Sequence, residues 1–267
     1  MEEIIKQKIE KYHSSLEKKN YLREYLQALI LKIFFEKKYF QQLIFTGGTA
    51  LRFIYGLKRF SEDLDFSCSE KNIQFSEIIK DLEYELKKYN LQVRIKNKQK
   101  LKSSVNNVFI NFENILYPLG ISAHKSETIS IKLEIDFNPP GGGKVEQHLI
   151  NKDFIFYLKA YDLPSLMAGK IHAICFRGYT KGRDFYDLIW YLGKKIEPNL
   201  IFLKNAIFQT QKIQNNNLKE QWRELLLQKI KESDFKKIIS DIQPFLEDQN
   251  EIALLNKDYM CEAIKKY

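Results

Sequence analysis

Cysteine is scarce: Cys68, Cys175 and Cys261 are the three in 267 residues, far apart and in no C-x-x-C pair. That usage excludes a disulfide-stapled scaffold and fits reduced thiols in a cytosolic protein. Histidine is equally thin. His13, His124, His148 and His172 are dispersed, so no zinc site is expected from these residue types. Long apolar runs are missing as well. The longest, LQALILKIFF, carries a lysine and is too short to span a bilayer, and the opening MEEIIKQKIEK is charged, unlike a signal peptide. These absences lead us to expect a cytoplasmic protein with no membrane role.

What is present is apolar and aromatic. Hydrophobic residues make up 44% of the chain, with 19 Phe and 15 Tyr, enough for a globular core in one large domain or two. Lys and Arg outnumber Asp and Glu by 43 to 34, a net charge of +9 that favours polyanions, nucleic acid first among them, although many basic proteins bind none.

The most informative stretch is residues 43–68, LIFTGGTALRFIYGLKRFSEDLDFSC. It reads as strand, glycine turn, helix, strand. Gly47 and Gly48 permit a tight turn after an apolar strand, and Thr49 to Tyr55 holds no helix breaker. A Gly-Gly-Thr turn that opens a helix presents backbone N–H groups and the positive end of a helix dipole, which suits a phosphate. The same glycines also serve an ordinary strand-to-helix turn. In the second strand Asp63 and Asp65 alternate with Leu64 and Phe66, so both carboxylates point one way while the apolar pair faces a core. Two like charges that close suit a divalent cation, and oxygen-only ligands favour Mg²⁺ or Mn²⁺. A solvated edge strand would carry the same pattern.

The run Gly48-Thr49, a helix, then Arg59-x-Ser61-x-Asp63-Leu64-Asp65-Phe66 resembles the signature of the AbiEii/AbiGii toxin family, a branch of the nucleotidyltransferase superfamily with polymerase-β-like folds. The resemblance extends over residues 43–190. It implies an α/β (α+β) fold, a mixed β-sheet flanked by helices and followed by a helical domain. It also implies metal-dependent transfer of nucleotides from a nucleoside triphosphate, and for several members a toxin with a cognate antitoxin.

The rest of the chain supplies candidates for the remaining parts. Residues 2–19 and 21–38 read as helices, the second with Asn20 as its N-cap, and residues 75–89 as a helix capped by Ser76. Residues 91–102, LQVRIKNKQKLK, place Arg94, Lys96, Lys98, Lys100 and Lys102 at alternate positions. They form either a ridge for a nucleic-acid backbone or a lysine edge that blocks aggregation. Residues 105–117, 129–137 and 152–161 read as strands, and 138–144, NPPGGGK, as a turn without phosphate-loop spacing. In 129–137 the polar face Lys132, Glu134, Asp136 ends in an acid, so Asp136 is the candidate third carboxylate, and the resemblance takes a third acid from this strand. Three such carboxylates would hold two metal ions.

From Asp162 the chain becomes helical, giving expected domains of 1–160 and 161–267 with the substrate between them. Asp162 caps a helix expected to end at Gly178, and Lys170 falls on its apolar side, where it needs an anionic partner or ligand unless its stem snorkels to solvent. Arg183 and Asp187 are spaced for a salt bridge within the next helix, and Asp184 suits its first turn. Gly182-Arg183-Asp184-x-x-Asp187-Leu188 resembles the family's last motif, with Asp184 able to fix Lys170 or Arg177. Helices are expected at 218–232, 235–247 and 250–266.

The reading is an Mg²⁺- or Mn²⁺-dependent nucleotidyltransferase acting on a hydroxyl, with RNA such as tRNA as acceptor. Asp63, Asp65 and Asp136 are the metal ligands. Gly47, Gly48, Thr49, Arg59, Ser61, Lys170 and Arg183 are the nucleotide-binding set, and Lys170 and Asp184 complete the catalytic set. The alternatives are nucleotidylation of a protein acceptor and a non-catalytic nucleotide- or RNA-binding protein.

Overall fold

The protein is described by a computed structural model covering residues 2–68, 70, 73–97, 104–213 and 218–267. The chain forms two compact units. One comprises Met1–Ile54, Phe60–Asn138 and Gln147–Ala160, the other Tyr55–Arg59, Pro139–Glu146 and Tyr161–Tyr267.

The first unit is built on α1 (Glu2–Ile9), α2 (Ser15–Glu36), β1 (Leu43–Thr46), α3 (Gly47–Tyr55), β2 (Asp63–Cys68), α4 (Phe75–Lys88), β3 (Gln92–Asn97), β4 (Val105–Glu113), β5 (Ile129–Asp136), β6 (Val145–Asn151) and β7 (Ile155–Tyr161). The strands make one mixed sheet in the order β3-β4-β5-β2-β1-β7-β6. β2 runs antiparallel to β1 and parallel to β5, so it is paired on both sides. β5 alternates strictly. Ile129, Ile131, Leu133 and Ile135 are buried, while Ser130, Lys132, Glu134 and Asp136 stay partly exposed on the opposite face. α2 lies against β5 and α4. Phe34 of α2, Phe45 of β1 and Phe66 of β2 meet under it with ring centroids 5.2 to 5.3 Å apart. Each ring is at most 2% exposed, a burial worth about 1.5–3 kcal/mol per side chain. That cluster fixes β2 from below and leaves its aspartates on the other face.

Several local expectations are revised. α2 starts at the Ser14 cap, because Ser14 and Glu17 form a reciprocal capping box; Asn20 is instead buried inside the helix, accepting from Arg23 at 3.0 Å. α4 is capped by Gln74 without a side-chain bond, and Ser76 lies within its first turn. β4 ends at Glu113, before Tyr117. β6 was not anticipated. Its sequence, VEQHLIN, buries one residue, Ile150, so an edge strand of this kind carries no alternating signal.

The second unit consists of α5 (Leu163–Phe176), α6 (Gly182–Gly193), α7 (Leu200–Gln211), α8 (Leu218–Glu232), α9 (Phe235–Ile242) and α10 (Lys257–Lys266). Asp162 caps α5 by accepting from the Ser165 amide at 2.9 Å, with Pro164 in the first turn. The helix stops at Phe176, two residues before Gly178. α9 is shorter than the 235–247 expected because Pro244 lies in a 3₁₀ turn, and α10 starts late, at an Asn256 cap preceded by the 3₁₀ segment Gln249–Leu254. The NPPGGGK turn packs on α7. A Cβ on Gly142 would lie 2.7 Å from Ile201, one on Gly143 would lie 2.5 Å from Tyr161, and Asn199 and Asn205 each donate to a carbonyl of the turn at 2.8 Å. Close approach to neighbouring side chains therefore accounts for Gly142 and Gly143. Among the described residues no helix is long and apolar enough to cross a membrane.

Candidate active site

The site is assembled by the pairing of β1 with β2. Thr46, the last residue of β1, stands opposite Asp65, and the chain then turns at Gly47, whose φ is +77°. A side chain at Gly47 would place its Cβ 2.2 Å from Asp65 Oδ2, so the missing Cβ is what lets that carboxylate lie against the turn. α3 begins at once, and its first turn is tied to β2 by the Thr49 hydroxyl, which donates to the Asp63 carbonyl. Thr49 is fully buried and its hydroxyl is spent on this internal bond. The strand, glycine turn, helix and carboxylate strand thus form one locked piece.

The parallel pairing of β2 with β5 adds residues that the sequence did not single out. Asp63 stands opposite Lys132, Asp65 opposite Glu134, and Ser67 opposite Asp136. The Lys132 ammonium is bonded to Glu134. Burial works against that ammonium, but the bond to Glu134 and the charges of Glu134, Asp63 and Asp65 raise its pKa above the ordinary lysine value. Asp136 lies two register pairs beyond Glu134, opposite Ser67, and accepts from the Asn138 amide at 2.9 Å. Burial pushes its carboxyl up, the Asn138 amide opposes this, and the Glu134 charge adds to it. The structure therefore brings Asp63, Asp65 and Glu134 together and sets Asp136 at the margin. The alternation of 132, 134 and 136 was visible in the sequence, but the register against β2 was not.

Among the described residues no three His, Cys, Asp or Glu side chains converge as a preformed metal cluster. The donors on hand still suit a hard divalent ion. Mg²⁺ typically takes one or two carboxylates and leaves its other positions to water and substrate phosphate. Asp63 and Asp65 offer that pair, and the Gly47 cradle holds one of the carboxylates in place.

Ser61, buried just before β2, has its carbonyl held by Gln27 Nε2 at 3.0 Å. Of the basic run, Arg94 pairs with Glu113 at 2.6 Å and Lys96 is exposed, while Lys98, Lys100 and Lys102 lie outside the described residues.

A second charged group forms within the helical unit. Arg59, 2% exposed, makes two bonds of 2.7 Å to Asp187, which is fully buried. Lys170 reaches Asp184 at 2.7 Å and Asp187 at 2.8 Å, and Arg177 reaches Asp184 at 2.6 Å. The anionic partner that Lys170 required is thus a pair of aspartates on α6. Burial alone would raise both carboxyls. Lys170 and Arg177 outweigh it at Asp184, and Arg59 and Lys170 outweigh it at Asp187, so both lie below the usual carboxylate range. Three cations against two carboxylates leave one positive charge over. Asp187 is taken by Arg59 and Lys170 in place of Arg183, whose guanidinium lies 4.3 Å from the Phe245 ring centroid.

Residues 29–259 match the family model described as nucleotidyl transferase AbiEii toxin, type IV TA system. Among solved structures, JHP933 from Helicobacter pylori is similar at 23% identity and a TM-score of 0.53, over 92% of each chain. A structure described as a candidate nucleotidyltransferase from H. pylori is similar at 23% identity and a TM-score of 0.54, over 91% of this chain and 93% of that one. These two likenesses concern the fold. No curated protein matches the chain significantly.

Proposed function

Since the chain belongs to the AbiEii nucleotidyl transferase toxins of type IV toxin–antitoxin systems, we propose that it moves a nucleoside monophosphate from a nucleoside triphosphate to a hydroxyl of RNA such as tRNA. The observation that carries this reading is the junction at Thr46, where a helix-opening glycine turn and the Asp65 carboxylate sit side by side. The turn offers amide donors to phosphate oxygens, and the carboxylates beside it offer ligands to the cation that accompanies a polyphosphate.

In this reading Asp63 and Asp65 hold Mg²⁺ or Mn²⁺, which supplies charge neutralisation and orientation of the phosphates when bound. The Gly47–Gly48 turn at the start of α3 receives phosphate oxygens. Asp136 accepts the proton of the acceptor hydroxyl as its oxygen bonds to the α-phosphorus and the bond from that phosphorus to the bridging oxygen of pyrophosphate breaks. A cognate antitoxin is the partner implied by the type of system.

The test is incubation with labelled nucleoside triphosphates, total RNA and Mg²⁺, with and without chelator. Label entering RNA with wild type, abolished by Asp65→Asn in a variant of unchanged melting temperature, is the expected result. Label entering protein and not RNA would reject the RNA acceptor. No transfer above the variant would reject the reaction.

A further inference from the structure

The acidic face contains a cation of its own. Lys132 stands opposite Asp63, and its ammonium is bonded to Glu134, which stands opposite Asp65. Paired strands lie about 4.8 Å apart and alternate side chains share a face, so the ammonium and the three carboxylates occupy one patch of the sheet. Lys132 and Glu134 are each about a third exposed, 30% and 31%, so both face the solvent from which an ion arrives. Asp63, Asp65, Glu134 and the Lys132 ammonium together carry two net negative charges, with Asp136 further along the same face. A second ion would need Glu134 or Asp136 as a further ligand; Glu134 is engaged by Lys132, and Asp136 stands opposite Ser67, two residues beyond the pair that faces Asp65.

Resting on the nucleotidyltransferase reading, we propose that Lys132 takes the place of a second divalent ion, so that the protein binds one such ion with its nucleoside triphosphate and not two. Lys132 is a positioning residue in this scheme. It engages Glu134 in an ion pair and offsets its charge. A tethered ammonium keeps the second positive charge present at every metal concentration, whereas a second weakly held ion would come and go.

The proposal is tested by counting bound Mn²⁺ through the loss of its free electron paramagnetic resonance signal, at saturating non-hydrolysable nucleoside triphosphate. Ions are counted per protein-bound nucleotide after equilibrium dialysis, so that those on free nucleotide cancel, and an Asp63→Asn/Asp65→Asn double variant shows which of them depend on the aspartates. One ion is expected for wild type, two for Lys132→Met and one for Lys132→Arg, with thermal melts to verify folding. Two ions in wild type overturn the inference and leave the proposed reaction standing, and so does one ion in a folded Lys132→Met. No ion dependent on Asp63 and Asp65 overturns the metal site and the reaction built on it. If Lys132→Met does not fold, the wild-type and Lys132→Arg counts decide the matter, since two ions in either overturn it.

Discussion

Replacing Gly47 by alanine isolates the contact between the turn and Asp65. Two costs are introduced. The first is backbone strain, because Gly47 has a φ of +77°, a conformation that costs an L-residue about 1–2 kcal/mol. The second is steric. The new Cβ would lie 2.2 Å from Asp65 Oδ2 against a floor of 3.0 Å for such contacts, so the carboxylate must retreat by about 0.8 Å. A displacement near 1 Å in a reacting array costs on the order of a hundredfold in rate. Gly56→Ala provides the matched control. Its φ is +72°, yet nothing lies within 4 Å of the added Cβ, so it reports the backbone cost alone. Both variants are expected to lose about 1–2 kcal/mol of stability, and Gly47→Ala alone to lose about two orders of magnitude in nucleotide transfer. Urea melts and labelled-nucleotide transfer, run in parallel, read the two quantities. If Gly47→Ala transfers label within threefold of Gly56→Ala, the cradle does not position Asp65 and the reasoning is refuted.

Asp187→Asn is expected to destabilise the helical unit by about 3–5 kcal/mol, since it leaves the buried Arg59 guanidinium facing a neutral amide. Trp190 and Trp222 both belong to that unit, so urea unfolding followed by tryptophan fluorescence reads the loss, and an unmoved midpoint would contradict it. The same carboxylates set an acid limit. Asp184 and Asp187 have depressed folded-state pKa values, that of Asp187 down to about 2. Their contribution is therefore complete above the unfolded carboxylate value of about 3.9 and is lost as pH falls through the folded value. Tryptophan-monitored melting temperatures should hold from pH 7 to about pH 5 and drop steeply below about pH 4, and Asp187→Asn should flatten that drop.

The parts of the site that depend on local periodicity are legible in the amino-acid sequence. Asp63 and Asp65 flank a buried Leu64, so their shared direction follows from the two-residue repeat of a strand. Lys170 on the apolar side of its helix likewise announces a need for anions. What escapes depends on register and on distant partners. Glu134 stands beside Asp65 because β5 pairs with β2 at one offset out of several that local hydrophobicity would accept. Nothing near Arg59 in sequence indicates that its partner, Asp187, lies 128 residues away. Competition between caps also misleads, since Ser14 with Glu17 satisfies two amides where Asn20 could satisfy fewer. Polar β6 lacks the alternation that marks the other strands.

The excursion of Tyr55–Arg59 into the helical unit has a bearing on how this protein can be divided or recombined. The Arg-x-Ser-x-Asp-Leu-Asp run is contiguous in sequence, yet its arginine folds with one unit and its aspartates with the other. No single cut in the chain separates the two. A fragment beginning at Tyr161 would keep Asp187 and Lys170 but lose the guanidinium that Asp187 is built around. The helices are therefore not a cassette that could be appended to or removed from the sheet unit by joining genes end to end.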